Sequence, residues 1–326
     1  GLIDSLRGIA AFTVLLFHYQ RFFFGLPLIA PAPGAAANFA PYHYADWAFS
    51  LGGEAVLLFW SISGFVFLHV YGTQSRAPTG RTFFVNRFAR LYPLHFITLL
   101  VVAGIQILAM GLFNGSIIYQ ANDLYNFGLN LFFASEWGFS HGRSFNGPIW
   151  SVSVAVLIYA VFYLYIRLLR VNVLSLAGML LLGLIAVALT EGRNLIALCA
   201  VYFFAGSLAY AVFALLPRRG AVTLGIAAAW LLGVGGMVLI GQHRHTLPMT
   251  LWLPPLFMLA LMLIAQIEAC GGGGPFRRLQ WLGDMSYSSY LWHTPIQMAL
   301  MMLAGTGVIA PSLFVQGWFL LVFLGL

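Results

Sequence analysis

Histidine and arginine residues inside apolar segments are the side chains of this sequence best suited to chemistry. His18 lies in the first apolar segment, IDSLRGIAAFTVLLFHYQ, eleven residues after Arg7. On an α-helix this spacing separates the two residues by about 16 Å along the axis. Histidine can act as a general base near neutral pH or as a nucleophile, and burial favours its neutral form. The alternative is a histidine that only hydrogen-bonds to a neighbouring helix.

An acidic residue is available to pair with His18. Glu54, in GGEAVLLFWSISGF, begins the second apolar segment, and the predicted boundaries put it at about the depth of His18. A carboxylate beside an imidazole would orient the ring and stabilise its protonated form. An interfacial Glu54 exposed to water explains the pattern equally well.

Two arginines could bind a phosphate group. Arg87 and Arg90, in FFVNRFARLYP, lie three residues apart and therefore share one helical face. Guanidinium pairs suit phosphate geometry, which favours a phosphate-bearing cytosolic ligand. The same pair could instead anchor a helix end at the inner surface of a membrane.

Two further segments carry polar groups that could contact a substrate. They are GPIWSVSVAVLIY and GDMSYSSYLWHTPI. Pro295, in the second of these segments, should bend the helix and free a backbone carbonyl beside a histidine. Helix packing is the default explanation for the serines. The candidate substrate-binding residues are Trp150, Ser153, Tyr290 and His293.

The composition requires a membrane around these residues. Of 326 residues, 61% are hydrophobic and 7% are charged, against roughly a quarter charged in soluble domains. Apolar runs of about 20 residues recur along the chain. We predict an all-α polytopic membrane protein, residues 1–326 forming one domain of about ten transmembrane helices. The predicted spans are 9–24, 48–71, 91–113, 149–168, 174–190, 195–215, 221–240, 248–269, 282–304 and 311–326.

The arginines predict the orientation of these spans. With a cytoplasmic N-terminus, eleven arginines fall on the inner side and four on the outer side, as the positive-inside rule requires. The segment 122–135 is too short to span and is predicted as an outer or re-entrant helix. Residues 25–45, rich in proline, are predicted as an irregular outer loop. The chain begins inside an apolar run, so we expect it to be truncated at both ends.

Several functional classes lack support in the sequence. The charge of +7 is scattered rather than gathered on one face, which argues against nucleic-acid binding. All fifteen cations are arginine, so a Schiff-base or P-loop lysine is excluded. Cys199 and Cys270 lie far apart and predict neither a disulfide nor a metal site. His243 and His245 without a neighbouring carboxylate or thiolate are a weak metal signal, and we predict no metal. The sequence does not indicate an oligomeric state.

Taken together, the motifs resemble those of the acyltransferase family 3 membrane proteins, which include O-acetyltransferases of bacterial surface polysaccharides. The resemblance covers nearly the whole chain and rests on IDSLRGIAAFTVLLFH, LFWSISGF, NRFARLYP, IWSVSV and SYSSYLWHTPI, in that order. It implies a ten-span fold without an appended esterase-like domain, in a bacterial inner membrane and in contact with its lipids. It also implies acyl-coenzyme A, commonly acetyl-coenzyme A, as the cytosolic donor, and a hydroxyl of an envelope glycan, glycolipid or lipid-linked sugar as the acceptor.

The resemblance assigns roles to particular residues. His18 and Arg7 become the expected catalytic pair, with His18 as base or acyl carrier. Arg87 and Arg90 become the expected site for the coenzyme A phosphates. The family commonly has a glutamate at the position of Ala155. A change to alanine there, engineered or natural, could remove an acid from the active site and impair the activity of this chain.

Two other functions are compatible with parts of the pattern. A transporter or flippase for a lipid-linked glycan could use buried His and Glu residues in a proton relay, although the sequence contains no convincing inverted repeat. The unrelated membrane-bound acyltransferases that use an Asn/His pair differ in motif order and gain no support.

Overall fold

A computed structural model describes residues 1–24, 39–72, 78–243 and 249–325 of the chain. About 80% of it is helical, and the described residues contain no β-strand. The α-helices are α1 (Leu2–Tyr19), α2 (Arg21–Phe24), α3 (Ala40–Ser50), α4 (Gly52–Phe67), α5 (Gly80–Phe113), α6 (Leu124–Leu131), α7 (Ile149–Leu168), α8 (Val173–Leu189), α9 (Leu195–Leu215), α10 (Gly220–His243), α11 (Met249–Ala269), α12 (Gly274–Arg277), α13 (Gln280–Gly305) and α14 (Gly317–Gly325). The predicted all-α polytopic fold is confirmed.

Seven helical segments in the described ranges are long and apolar enough to cross a membrane. They are Leu2–Tyr19, Pro41–Gly72, Gly80–Phe113, Ile149–Leu168, Leu195–Leu215, Gly220–Leu239 and Trp252–Ala269. The helix Val173–Leu189 is also apolar, but it has only 17 residues and is shorter than these seven segments. The ten-span count and the cytoplasmic N-terminus remain predictions.

Helix boundaries were easiest to predict where apolar residues extend to both ends of the helix. The predicted spans 149–168 and 195–215 coincide with α7 and α9. The span predicted at 91–113 begins much earlier, at Gly80, because α5 continues through Pro93. The predicted last span, 311–326, is wrong as a single helix. A 3₁₀ turn at Pro311–Val315 is separated from α14 by Gln316, whose backbone is extended.

The regions predicted outside the spans differ in outcome. A short helix within 122–135 is confirmed as α6, and the Asp123 side chain caps it by accepting from the Asn126 N–H. Of the loop predicted at 25–45, residues 25–38 lie outside the described residues. The remainder is largely helical, with Pro41 in the first turn of α3, where proline is tolerated. His245 also lies outside the described ranges, as does the side chain of His243.

The chain divides into two compact units. The first comprises Gly1–Gly8, Leu57–Phe83 and Leu157–Asp284, and the second comprises Ile9–Val56, Phe84–Val156 and Met285–Leu326. In the first unit α4 and α9 approach so closely that a Cβ at Gly64 would collide with the Phe203 carbonyl, and one at Gly206 with the Ser61 carbonyl. Small residues at helix contacts are typical of membrane proteins.

The second unit has an aromatic core. Tyr19 is fully buried, and its hydroxyl donates a 2.9 Å hydrogen bond to the Phe314 carbonyl. Phe22 stacks on Phe314 with 4.3 Å between the ring centroids. Phe39 and Phe323 also pack against Tyr19. This core fixes the end of α1 immediately beside His18.

Candidate functional site

The candidate site lies in the second unit, where the end of α1 meets α13. His18 Nδ1 is 3.0 Å from His293 Nε2, and the two rings are nearly parallel with 4.7 Å between their centroids. His293 is buried, whereas His18 is half-buried. The two most distant motifs of the sequence therefore contribute one histidine each to a single pair.

The hydrogen bonds around this pair define which ring nitrogen of His18 is free. His293 Nδ1 is 3.3 Å from the Ser289 carbonyl, which can only accept, so this nitrogen carries a proton. A neutral His293 then has its lone pair on Nε2 and accepts from His18 Nδ1–H. In neutral His18 the lone pair therefore lies on Nε2, the ring nitrogen that does not contact His293. Such a nitrogen can take a proton or attack a carbonyl carbon.

Gln297 connects His18 to an arginine. Its buried side-chain amide donates a 2.7 Å hydrogen bond to the His18 carbonyl. Its Oε1 is 3.5 Å from Arg21 Nη1. Arg21 Nη2 donates a 2.9 Å hydrogen bond to the Tyr119 hydroxyl. A Cβ at Gly147 would lie 2.5 Å from that hydroxyl oxygen, so a larger residue at this position would require the Tyr119 side chain to move.

Pro295 has the effect that its position in α13 predicts. Proline has no N–H to donate to the carbonyl four residues earlier, which here belongs to Leu291. Asn146 replaces that donor, with Nδ2 3.1 Å from the Leu291 carbonyl oxygen. The Asn146 side chain is fully buried. This bond fixes the loop before α7 against α13 close to His293.

Tyr290 and Ser153, both predicted to contact substrate, hold elements of the protein together. The Tyr290 hydroxyl is 2.7 Å from Ser151 Oγ and 3.3 Å from the Pro148 carbonyl oxygen. Ser153 Oγ donates to the Phe133 carbonyl at 2.5 Å and accepts from the Glu136 N–H at 3.1 Å. Both side chains are buried, so substrate could reach them only by replacing these bonds.

Trp150 differs from these two residues because its ring is only half-buried. The guanidinium carbon of Arg143 lies 5.1 Å from the centroid of this ring, a cation–π distance. Both side chains belong to the segment around the start of α7. The predicted substrate-facing role of Trp150 stays a prediction.

The structure does not join Glu54 to His18. Glu54 is half-buried in the first turn of α4, and its carboxylate makes no hydrogen bond or ion pair with any residue that the structure describes. Ala155 is buried in α7. The group that hydrogen-bonds to His18 is an imidazole, not a carboxylate.

Arg7 belongs to the first unit, whereas His18 and His293 belong to the second. Its Nη2 donates a 2.5 Å hydrogen bond to the Gly283 carbonyl at the start of α13. A Cβ at Gly283 would collide with the Asp4 carbonyl, so α1 and α13 are in close contact at this point. Within its unit, Arg7 therefore connects these two helices.

Arg87 and Arg90 lie within the first turns of α5, one helical turn apart as predicted. Arg87 is half-buried and Arg90 is exposed. Nearby on the same helix, the Leu91 carbonyl accepts a 2.8 Å hydrogen bond from the Tyr287 hydroxyl of α13. This bond fixes the arginine-bearing turn against the helix that carries His293.

Positive charge predominates near His18. Both Arg21 and Arg143 act on it electrostatically. The carboxylate that acts on Arg143 is Glu136, in the loop after α6, and burial raises the pKa of Glu136 while Arg143 opposes the rise. Glu136 therefore stays protonated, and so uncharged, up to a higher pH than an exposed glutamate does. It consequently offsets less of the positive charge of Arg143.

The side chains at this site are poorly suited to bind a metal ion. The described residues contain no group of three or more His, Cys, Asp or Glu side chains close enough to share an ion, and a zinc site normally takes at least three protein ligands.

Several members of this site were not predicted from the sequence. Arg21 lies three residues after His18 and Gln297 four residues after His293, and this helical spacing could have indicated both. Tyr119 and Asn146 belong to irregular segments, where no periodicity indicates which side chains meet.

Comparisons with known proteins agree with these observations. The model of acyltransferase family 3, described as an acyltransferase domain, matches residues 2–326. The chain is 30% identical over 260 residues to the exopolysaccharide production protein ExoZ of Rhizobium meliloti (strain 1021), covering 76% of this chain and 77% of that protein. It is 33% identical over 104 residues to protein 2 in the picA locus of Rhizobium radiobacter, covering 31% of this chain and 43% of that protein. No solved structure matches.

Proposed function

This chain belongs to acyltransferase family 3, and we propose that it is a membrane O-acyltransferase that modifies an envelope polysaccharide or its precursor. The donor in this proposal is acyl-coenzyme A, with acetyl as the acyl group, and the acceptor is a sugar hydroxyl. A similar protein is named for exopolysaccharide production, which supports a glycan acceptor. A glycolipid or lipid-linked sugar offers the same hydroxyl chemistry.

The observation that carries this proposal is the 3.0 Å contact of His18 Nδ1 with His293 Nε2, which leaves His18 Nε2 for the substrate. Its Nδ1–H donates to His293, and His293 in turn donates to a backbone carbonyl. As general base, His18 Nε2 takes the proton of the acceptor hydroxyl while the hydroxyl oxygen bonds to the thioester carbonyl carbon. The carbon–sulfur bond then breaks, and His18 returns the proton to the coenzyme A thiolate. The imidazolium formed in between keeps its Nδ1–H bond to His293.

His18 could also carry the acyl group. In that sequence Nε2 attacks the thioester carbonyl and the thiolate leaves. The acceptor oxygen then displaces the acyl group from the imidazole, and the hydroxyl proton passes to the coenzyme A thiolate. Both routes need the same tautomer and the same free nitrogen. They therefore assign the same role to His293, which holds His18 in the reactive form, as the third residue of a catalytic triad does.

An orienting imidazole reduces the need for a carboxylate in this site. We propose that His293 supplies in this chain the support that Glu54, or a glutamate in place of Ala155, was expected to give. Activity would then survive the alanine at position 155. Arg7, which is hydrogen-bonded to Gly283, would act by fixing the start of α13 and so the helix that carries His293.

The donor would bind through its phosphates at Arg87 and Arg90. Guanidinium groups bind phosphate oxygens through paired charge-assisted hydrogen bonds, and the exposure of Arg90 leaves it accessible to a large ligand. In a bacterial inner membrane with the N-terminus in the cytoplasm, this pair faces the cytosol and His18 lies in the outer half. The pantetheine arm of the donor would then extend between the helices towards His18.

Label transfer in proteoliposomes tests the proposal. Reconstituted protein receives radiolabelled acetyl-coenzyme A on one side and a glycan acceptor on the other, and the covalent label on the acceptor is measured. The wild type should label the acceptor, and His18→Ala should lower the rate roughly 100-fold or more with normal expression and folding. Full turnover by a folded His18→Ala protein would remove His18 from the mechanism. Movement of unmodified lipid-linked glycan without label would instead establish the transporter.

A further inference from the structure

Arg21 is a charged side chain that the proposed mechanism does not use. It is half-buried, and its two hydrogen-bond partners, the Tyr119 hydroxyl and Gln297 Oε1, are both neutral. Its guanidinium carbon also lies 5.7 Å from the centroid of the Tyr119 ring. Arginine stays protonated in proteins, so this site carries a full positive charge.

No acidic side chain neutralises that charge. The chain has eight Asp and Glu residues, and all eight belong to the described ranges. Within those ranges, none has a carboxylate oxygen within 4.0 Å of an Arg21 nitrogen. Arginine is the preferred cation for ion pairs that are withdrawn from water. An anionic group on a ligand would supply the missing partner.

The surroundings increase the attraction for an anion. Arg143 acts electrostatically on Arg21 as well as on His18, so two positive charges influence the same region. Arg143 itself lies over the Trp150 ring. Because burial raises the pKa of Glu136, that side chain is a weak competitor for Arg143.

Arg21 is also well placed relative to His18. The two residues are three positions apart, and the Gln297 amide contacts both, through the His18 carbonyl and the Arg21 guanidinium. An anion bound to Arg21 would therefore be held close to the His18 turn. A hydroxyl elsewhere on the same sugar could then reach His18 Nε2.

From these observations we propose that Arg21 binds an anionic group, a carboxylate or a phosphate, carried by the acyl acceptor. The inference rests on the proposed function, because it assigns the acceptor to the histidine end of the site and the donor to Arg87 and Arg90. It makes the preferred acceptor an acidic glycan, or a sugar linked to a phosphate, rather than a neutral one.

Binding without acyl donor tests this proposal separately from catalysis. Detergent-solubilised full-length protein is titrated with a uronic-acid disaccharide, a hexose phosphate, the matching neutral disaccharide and coenzyme A. The first two probes distinguish a carboxylate from a phosphate. Wild-type protein should bind one of the anionic sugars more tightly than the neutral one, and Arg21→Gln should weaken that binding roughly 10- to 100-fold. Arg21→Lys should keep part of it.

Arg193→Gln is the matched control. It removes the same charge from an exposed arginine that pairs with Glu191, and the affinity for acidic sugar should stay unchanged. Equal wild-type affinity for acidic and neutral sugars would overturn the proposal. So would an Arg21→Gln protein that loses coenzyme A binding but keeps acidic-sugar binding, because Arg21 would then belong to the donor site. If sugar binding follows the prediction but no label is transferred, the anion site stands and the proposed acyl transfer fails.

Discussion

The two units of the chain bury polar side chains to very different extents. Among the described residues, four buried polar side chains lie in the first unit and fifteen in the second. The first unit contains close backbone contacts at Gly64 and Gly206. The second contains the hydrogen-bonded series from His293 through His18 and Gln297 to Arg21. Because polar groups are costly inside a membrane, their concentration in the second unit supports the proposal that the chemistry takes place there.

The largest effect should come from the close helix contact of the first unit. Gly206→Ala places a Cβ against the Ser61 carbonyl, so α4 and α9 must separate and the Ser207 hydroxyl, 3.0 Å from the Gly64 carbonyl oxygen, loses its bond. Overpacking costs typically about 1–3 kcal/mol, and a rigid backbone partner puts this case at the upper end. Thermal unfolding in detergent should show the loss of stability.

Gly178→Ala is the control for this substitution. Gly178 is also helical and in the first unit, but a Cβ there meets nothing within 4 Å. This variant should be as stable as the wild type or slightly more stable, since alanine favours the helix. If Gly206→Ala and Gly178→Ala unfold at the same temperature, the first unit does not depend on this contact.

A substitution in the second unit should impair chemistry rather than folding. His293→Leu places an apolar side chain of similar size in this buried position and removes the imidazole that accepts from His18 Nδ1–H. Without that acceptor the two tautomers of His18 compete, and kcat should fall roughly 10- to 100-fold with little change in donor KM. His293→Gln should recover part of the rate because its side-chain oxygen can accept the same bond.

Nitrogen NMR separates this positioning role from a purely structural one. With labelled histidine, a difference spectrum against His18→Ala identifies the His18 signals, which should show a protonated Nδ1 and an unprotonated Nε2 in the wild type. His293→Leu should lose this preference and His293→Gln should keep it. An unchanged His18 tautomer in His293→Leu would show that His293 does not set it.

The sequence predicted the fold better than it predicted the partners within the site. Apolar length alone located α7 and α9 to the residue, because a span is a local property of about 20 residues. It missed the break at Gln316, although Gly317 follows directly, because glycine is frequent in transmembrane helices. Hydropathy cannot register a single extended residue in an otherwise apolar run.

The histidine pair illustrates the limit for the site. His18 and His293 were each identified as candidates from the residues around them, but their contact joins positions 275 residues apart. Nothing local in either motif specifies the other, and Glu54 was the more conventional partner for an imidazole. Arg21 was overlooked because it was counted only among the arginines that predict the orientation of the spans. Its significance depends on the absence of a nearby carboxylate in the folded protein.

The smallest effect should come from the exposed arginine of α5. Arg90→Ala should raise the KM for acyl-coenzyme A roughly two- to fivefold and leave kcat unchanged, because an ion pair in contact with water contributes at most about 1 kcal/mol. Arg81→Ala, at an exposed arginine in the first turn of the same helix, removes an equal charge and should leave the KM as it is. The KM increase should shrink in high salt, since exposed charges are screened. If instead kcat falls while the donor KM stays constant, Arg90 acts on the reaction rather than on donor binding, and the separation between a donor site on α5 and a reactive site at His18 is lost.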